Sequence, residues 1–242
     1  MSVFWLITGA SRGLGAALAR AAVARGDRVL GIARSPAAAG ESLCLDLADL
    51  DALAAAVGAR LADAQREEPA PQRWVLVNNA AVLGPIGSGW QAGDVEQVLR
   101  VNLGAPMVLA RCFLDCLAGH PAPRLVLNVS SGAATRVIAG WSLYATSKAG
   151  LEHFGRCLAA EHRLDPRVAV VSLSPGVIDT DMQARIRATG PQDFPDHARF
   201  VALHEQGALA DPDTVAASIL RGVDRGLRWE GASCRLEEFA GP

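Results

Sequence analysis

The segment TGASRGLG, Thr8 to Gly15, constrains this chain more than any other stretch. It follows the apolar run VFWLIT (3–8) directly and leads into an Ala/Leu-rich stretch with apolar residues at helical spacing. Gly9, Gly13 and Gly15 let the backbone turn sharply and come close to a ligand. Amides at the start of the next helix then face outward, with the helix dipole favouring an anion. A plain strand-to-helix turn does not need three glycines, whereas a phosphate cradle between the first strand and first helix of an α/β chain does.

The same alternation runs through the sequence. The runs at 28–33, 42–46, 74–79, 124–130 and 168–174 are short, apolar and bounded by turn residues, as expected of strands covered on both faces. Between them, 14–25, 49–67, 95–118, 143–164 and 212–225 have helical spacing. Strands alternating with helices predict an α/β fold, a doubly wound and mostly parallel sheet with helices on both faces. A length of 242 residues suits one such domain over 1–242, and no repeat or linker divides it. The segment 181–211, broken by Gly190, Pro191, Pro195 and Gly207, reads as an irregular loop or lid over a binding site.

Composition excludes some partners. A formal charge of -2 with no basic run argues against nucleic acid or an anionic membrane. The five cysteines have no paired metal-ligand spacing, so no metal site is expected, and they suit a reducing, cytoplasmic setting. The N-terminal apolar run lacks a basic flank and is too short to span a bilayer.

The end of the second strand indicates which phosphate the cradle serves. An NAD-binding arrangement places an acid there for the adenosine ribose. Here IARS offers Ala33 and Arg34 instead, and Arg12 stands within the glycine loop. Two arginine forks without a carboxylate favour the 2′-phosphate of NADP(H).

Chemistry concentrates at YATSK, Tyr144 to Lys148, which holds the only tyrosine and the only lysine of the chain; the other 22 of its 23 Lys and Arg residues are arginine. Four residues apart on a helix, the two side chains share a face. An ammonium beside a phenol favours phenolate and is expected to draw its pKa down towards the working range. In a chain that otherwise uses neither residue, a surface pair without consequence is the weaker explanation.

In order along the chain, TGASRGLG, NNA (78–80), Asn102, VSS (129–131), YATSK and SPG (174–176) resemble the short-chain dehydrogenase/reductase family over nearly the whole length. The resemblance implies a Rossmann-type sheet and hydride transfer between a nicotinamide and a carbonyl or alcohol. It implies Ser131, thirteen residues before the tyrosine, as the group that bonds the substrate oxygen. Tyr144 would exchange the proton, Lys148 would hold the nicotinamide ribose and lower the phenol pKa, and Asn102 would hold a water joining Lys148 to solvent. The implied cofactor contacts are Gly9, Ser11, Arg12, Gly13, Leu14, Gly15, Arg34, Asp46, Leu47, Asn79, Ala80, Tyr144, Lys148, Pro175, Gly176, Val177, Ile178 and Thr180. Ala81 departs from the pattern, which usually has glycine there.

GWSLYATSKAG, PGVIDTDMQ and a short C-terminal strand at 231–236 look like the sepiapterin reductase and bacterial benzil reductase members of that family. Those members imply an NADPH-dependent reduction of a small-molecule ketone or vicinal dicarbonyl, with reduction of a pterin side chain as the alternative. The aspartate that anchors a pterin in that strand is replaced here by Arg235. Trp141 and Met182 are expected to join Ser131 and Tyr144 in the substrate pocket. A non-catalytic NADP(H)-binding sensor is disfavoured by the intact set of Asn102, Ser131, Tyr144 and Lys148. Assembly as a homodimer or homotetramer through 95–118 and 143–164 is also implied.

Overall fold

The computed structural model describes residues 2–67, 69–226 and 230–241. Its first strand, β1 (Val3–Thr8), shows why the apolar runs lack alternation. Val3, Trp5 and Ile7 enter one core layer while Phe4 and Leu6 enter the other. Both faces are covered, so every position from Val3 to Ile7 is apolar.

In chain order the elements are β1, α1 (Gly13–Ala24), β2 (Arg28–Ala33), β3 (Glu41–Cys44), α2 (Leu50–Ala64), β4 (Arg73–Asn78) and α3 (Ala92–Leu99). They continue with α4 (Ala105–Cys116), β5 (Arg124–Val129), α5 (Ser142–Glu161), β6 (Val168–Ser174), α6 (Asp181–Arg187) and α7 (His197–Glu205). The last are α8 (Pro212–Asp224), β7 (Glu230–Arg235) and α9 (Leu236–Ala240). The seven strands form one parallel sheet in the order β3-β2-β1-β4-β5-β6-β7, the doubly wound Rossmann-type arrangement expected. One layer is filled from α1, α8 and Phe239 of α9, and the other from α2, α4 and Leu158 of α5. Because all strands run the same way, Thr8, Ala33, Asn78, Val129 and Ser174 end along one edge of the sheet. That edge is where a doubly wound fold binds ligands.

Three expectations change. The segment 95–118 is not one helix: a π-helical turn at Arg100–Gly104 separates α3 from α4. The segment 181–211 is not irregular, because α6 and α7 occupy much of it, and Ile186, Phe200 and Phe194 between the two helices join a third apolar cluster. Strand β3 is an exposed edge paired only with β2, so it is not covered on both faces.

Candidate active site

The glycine loop joins β1 to α1 at the carboxyl edge. Gly13 has φ +54, in the left-handed region, and a Cβ at Gly15 would stand 2.3 Å from the Gly9 carbonyl oxygen. Neither position accepts a side chain without strain. No side chain caps α1 and no acid occupies its first turn, so the amides there are open to an anion. The neighbouring β4 loop is fixed by Thr8. Its hydroxyl accepts from the backbone N–H of Asn79 (2.9 Å) and of Ala80 (3.0 Å), and the Asn79 amide donates to the Thr8 carbonyl at 2.8 Å.

One cavity of about 760 Å³ runs from this loop to the middle of the sheet edge. Of the anticipated cofactor contacts, Gly9, Ser11, Arg12, Gly13, Leu14, Arg34, Asp46, Leu47, Asn79, Ala80, Tyr144, Lys148, Pro175, Gly176, Val177, Ile178 and Thr180 line it, while Gly15 lies beneath. Arg34 forms no ion pair among the described residues. Arg12 meets Asp181 of α6 at 3.3 Å, but the side chains are 71% and 76% exposed, so that pair is weak and does not commit Arg12. A glycine-lined cradle and open helix amides fit a dinucleotide.

At the other end of the cavity, α5 brings Tyr144 and Lys148 to one face, and the loop after β5 brings Ser131 to them. Tyr144 is 7% exposed and Lys148 2%. The Ser131 hydroxyl, which also accepts from the Ala133 N–H at 3.1 Å, hydrogen-bonds the Tyr144 phenol. Lys148 donates to the Val129 carbonyl at 2.8 Å, and its Nζ lies 5.8 Å from the centre of the Tyr144 ring.

Asn102 sits in the π-helical turn, fully buried. Its side chain clasps the Val82 backbone, accepting from N–H and donating to the carbonyl, both at 2.8 Å, and donates to Ser147 at 3.0 Å. Both hydrogens and the oxygen of that amide are engaged, so the side chain braces the cavity wall. Asn102 does not line the cavity. Wide turns of this kind often mark sites, here by turning a polar side chain inward against a neighbouring loop.

The electrostatics differ from expectation at one point. Burial pushes the Tyr144 phenol up to about 12, against the opposing effect of the Ser131 hydrogen bond. Burial also lowers Lys148 to about 8, with Glu152 acting to raise it. The expected lowering of the phenol by the ammonium does not appear: desolvation of the buried phenolate is the largest effect, and the Ser131 hydrogen bond is what opposes it.

The substrate side is aromatic. Trp141 meets the Tyr144 ring edge-on at 5.6 Å and stacks on Phe194 at 5.4 Å, with Phe200 at 5.2 Å. Trp141 and Met182 line the cavity, together with Ile186 and Phe200 from the segment expected to cover the site, and with Ile138, which the sequence did not single out. Two phenylalanines inside 194–200, in a segment otherwise rich in Pro, Asp and Arg, were the available signal. The C-terminal strand ends at Arg235, which is exposed and does not line the cavity.

Known proteins resemble this chain in sequence and fold. The family model described as short chain dehydrogenase matches residues 4–190. The benzil reductase ((S)-benzoin forming) of Bacillus subtilis is 33% identical, covering 97% of this chain and 98% of its own. The sepiapterin reductase of Rattus norvegicus is 32% identical over 94% and 93%. The crystal structure of the KRED1-Pglu enzyme superposes with a TM-score of 0.82 at 30% identity, covering 97% of this chain and 100% of that one. A protein of Beutenbergia cavernae described as an NAD(P)-dependent gluconate 5-dehydrogenase, with NADP bound at low occupancy, gives 0.75 at 26% identity, covering 96% and 94%. The ordered motifs, the sheet and the near-complete coverage agree: the chain belongs to the short-chain dehydrogenase family.

Proposed function

We propose that the protein is an NADPH-dependent reductase that converts a ketone or vicinal dicarbonyl to an alcohol, with Tyr144 as the proton donor. One observation carries the reading: Ser131, Tyr144 and Lys148 line the same cavity as the glycine loop and Arg34. When bound, the nicotinamide supplies a hydride to the carbonyl carbon. Ser131 turns its hydroxyl to the carbonyl oxygen as negative charge grows there. Tyr144, pushed up to about 12, is protonated at neutral pH and gives its proton to an alkoxide that is the stronger base. Lys148 then faces the phenolate with its charge. Arg34 and Arg12 hold the 2′-phosphate, Asp46 and Leu47 the adenine, and Asn79, Ala80 and Pro175 to Thr180 the remainder of the cofactor.

The benzil reductase relatives and the aromatic wall of Trp141, Phe200 and Met182 support an aryl ketone or diketone. Pterin reduction is the weaker reading, since Arg235 stands away from the cavity where an anchoring carboxylate would be needed. The reading includes assembly into a homodimer or homotetramer through α4 and α5, supported by the exposed Met107 of α4. It also includes a cytoplasmic location, supported by five cysteines that are all free. No helix among the described residues is long and apolar enough to cross a membrane. The test is a panel of carbonyls with NADPH and NADH in parallel. NADPH oxidation with an aromatic 1,2-diketone, little with sepiapterin and less with NADH is expected; preference for sepiapterin reverses the substrate order, and no turnover of any carbonyl rejects the reading.

A further inference from the structure

Glu152 is a buried carboxylate to which the proton-transfer scheme above gives no role. It stands one helical turn beyond Lys148 on α5, with its side chain 7% exposed. Burying a carboxylate is unfavourable unless its oxygens are satisfied. Here both are: Oε1 accepts from the Ser130 hydroxyl at 2.5 Å and Oε2 from the Ser233 hydroxyl of β7 at 2.9 Å. Ser130 immediately precedes Ser131, and the Val129 carbonyl that receives the Lys148 ammonium comes just before it.

We propose that Glu152 is a positioning residue that ties the Ser130–Ser131 turn and strand β7 to the helix bearing Tyr144 and Lys148, and supplies the counter-charge for the buried lysine. The two serine hydroxyls hold the carboxylate where it is. It therefore acts on Lys148 at one turn's distance, and no carboxylate among the described residues comes within 4.0 Å of Nζ. Lys148 stays charged yet keeps donors free for the cavity. The charged and titratable groups around the pair are few. Tyr144 and Arg156 share the helix, Arg156 reaching Glu152 at 4.0 Å. From β7 and α9 come Cys234, its thiol pushed up to about 12 mainly by burial, and Glu238 beside it. The π-helical turn contributes only the neutral Asn102.

This inference rests on the proposed role of Lys148, but its test does not depend on turnover. Because Lys148 is the only lysine, full-length protein labelled with ¹³Cε-lysine gives one lysine resonance, whose titration reports Lys148 alone. Glu152→Gln keeps the size and one acceptor but removes the charge, and the Lys148 midpoint is expected to fall by about one pH unit. The alkaline limb of the reductase rate moves with it, while the KM for NADPH stays within about twofold. An unmoved Lys148 midpoint overturns the inference, whether or not the parent reduces any carbonyl. If Glu152→Gln does not fold, Glu152→Asp withdraws the charge by one methylene. A smaller fall then supports the proposal and an unchanged midpoint overturns it.

Discussion

At the amino-terminal edge of the sheet the protein buries Asp27 and Arg124 against opposite charges in contact; at the carboxyl edge it buries Lys148 without one. Asp27 accepts from the Val3 N–H (3.2 Å), the Trp5 indole (3.0 Å) and Arg25 (2.7 Å), and Arg124 meets Asp165 at 2.8 Å. Those groups hold strands and loops together, each charge meeting its opposite in direct contact. Lys148 has a carbonyl for a partner and a lowered pKa near 8. A buried charge kept one turn from its counter-charge is a group whose protonation can change during a reaction.

The sharpest way to break the contrast is at the carboxyl edge. Tyr144→Phe should lower diketone reduction by about 10²–10⁴-fold, the usual contribution of a positioned acid, measured as steady-state NADPH oxidation. Its unfolding midpoint should stay within a few degrees of the parent. A variant that unfolds instead would make the site structural, like its opposite edge.

Asp27→Ala probes that opposite edge. It strands the Trp5 indole and the Val3 amide and loses Arg25, so stability should fall by about 2–3 kcal/mol. The thermal midpoint should drop by about 5–10 °C, with kcat at low temperature unchanged. Loss of activity in the still-folded variant would show that the two edges are coupled.

Arg34→Ala lies between the extremes, since its effect should fall on one ligand alone. The KM for NADPH is expected to rise about 10–100-fold while that for NADH changes less than about threefold. Equal effects on both would remove the phosphate role. Ala81→Gly should do least: it removes one partly buried methyl from the aromatic cluster, changing kcat/KM by less than about fivefold.

What could be read from the sequence was what is set locally. The glycine loop, the Tyr144–Lys148 spacing and the strands β1, β2, β4, β5 and β6 follow from φ freedom, helical periodicity and two-sided burial, and each falls where expected. Helices α6 and α7, of 7 and 9 residues, are too short to show a convincing periodicity. They form because Phe194 and Phe200 pack on Trp141, a contact that sequence spacing does not reveal. The direction of the Tyr144 shift is hidden from the sequence for a similar reason. Proximity of an ammonium can be inferred from i,i+4 spacing, but enclosure of the phenol depends on the whole cluster around it.

The contrast between the two edges comes down to whether the charge of Lys148 is used. The most direct measurement is the rate of NADPH-dependent diketone reduction from pH 6 to 10, set beside the titration of the single lysine resonance. A plateau that falls through about pH 8, with the lysine titrating at the same midpoint, is the predicted result. A rate that stays flat or rises to pH 10 while Lys148 loses its proton would contradict the account.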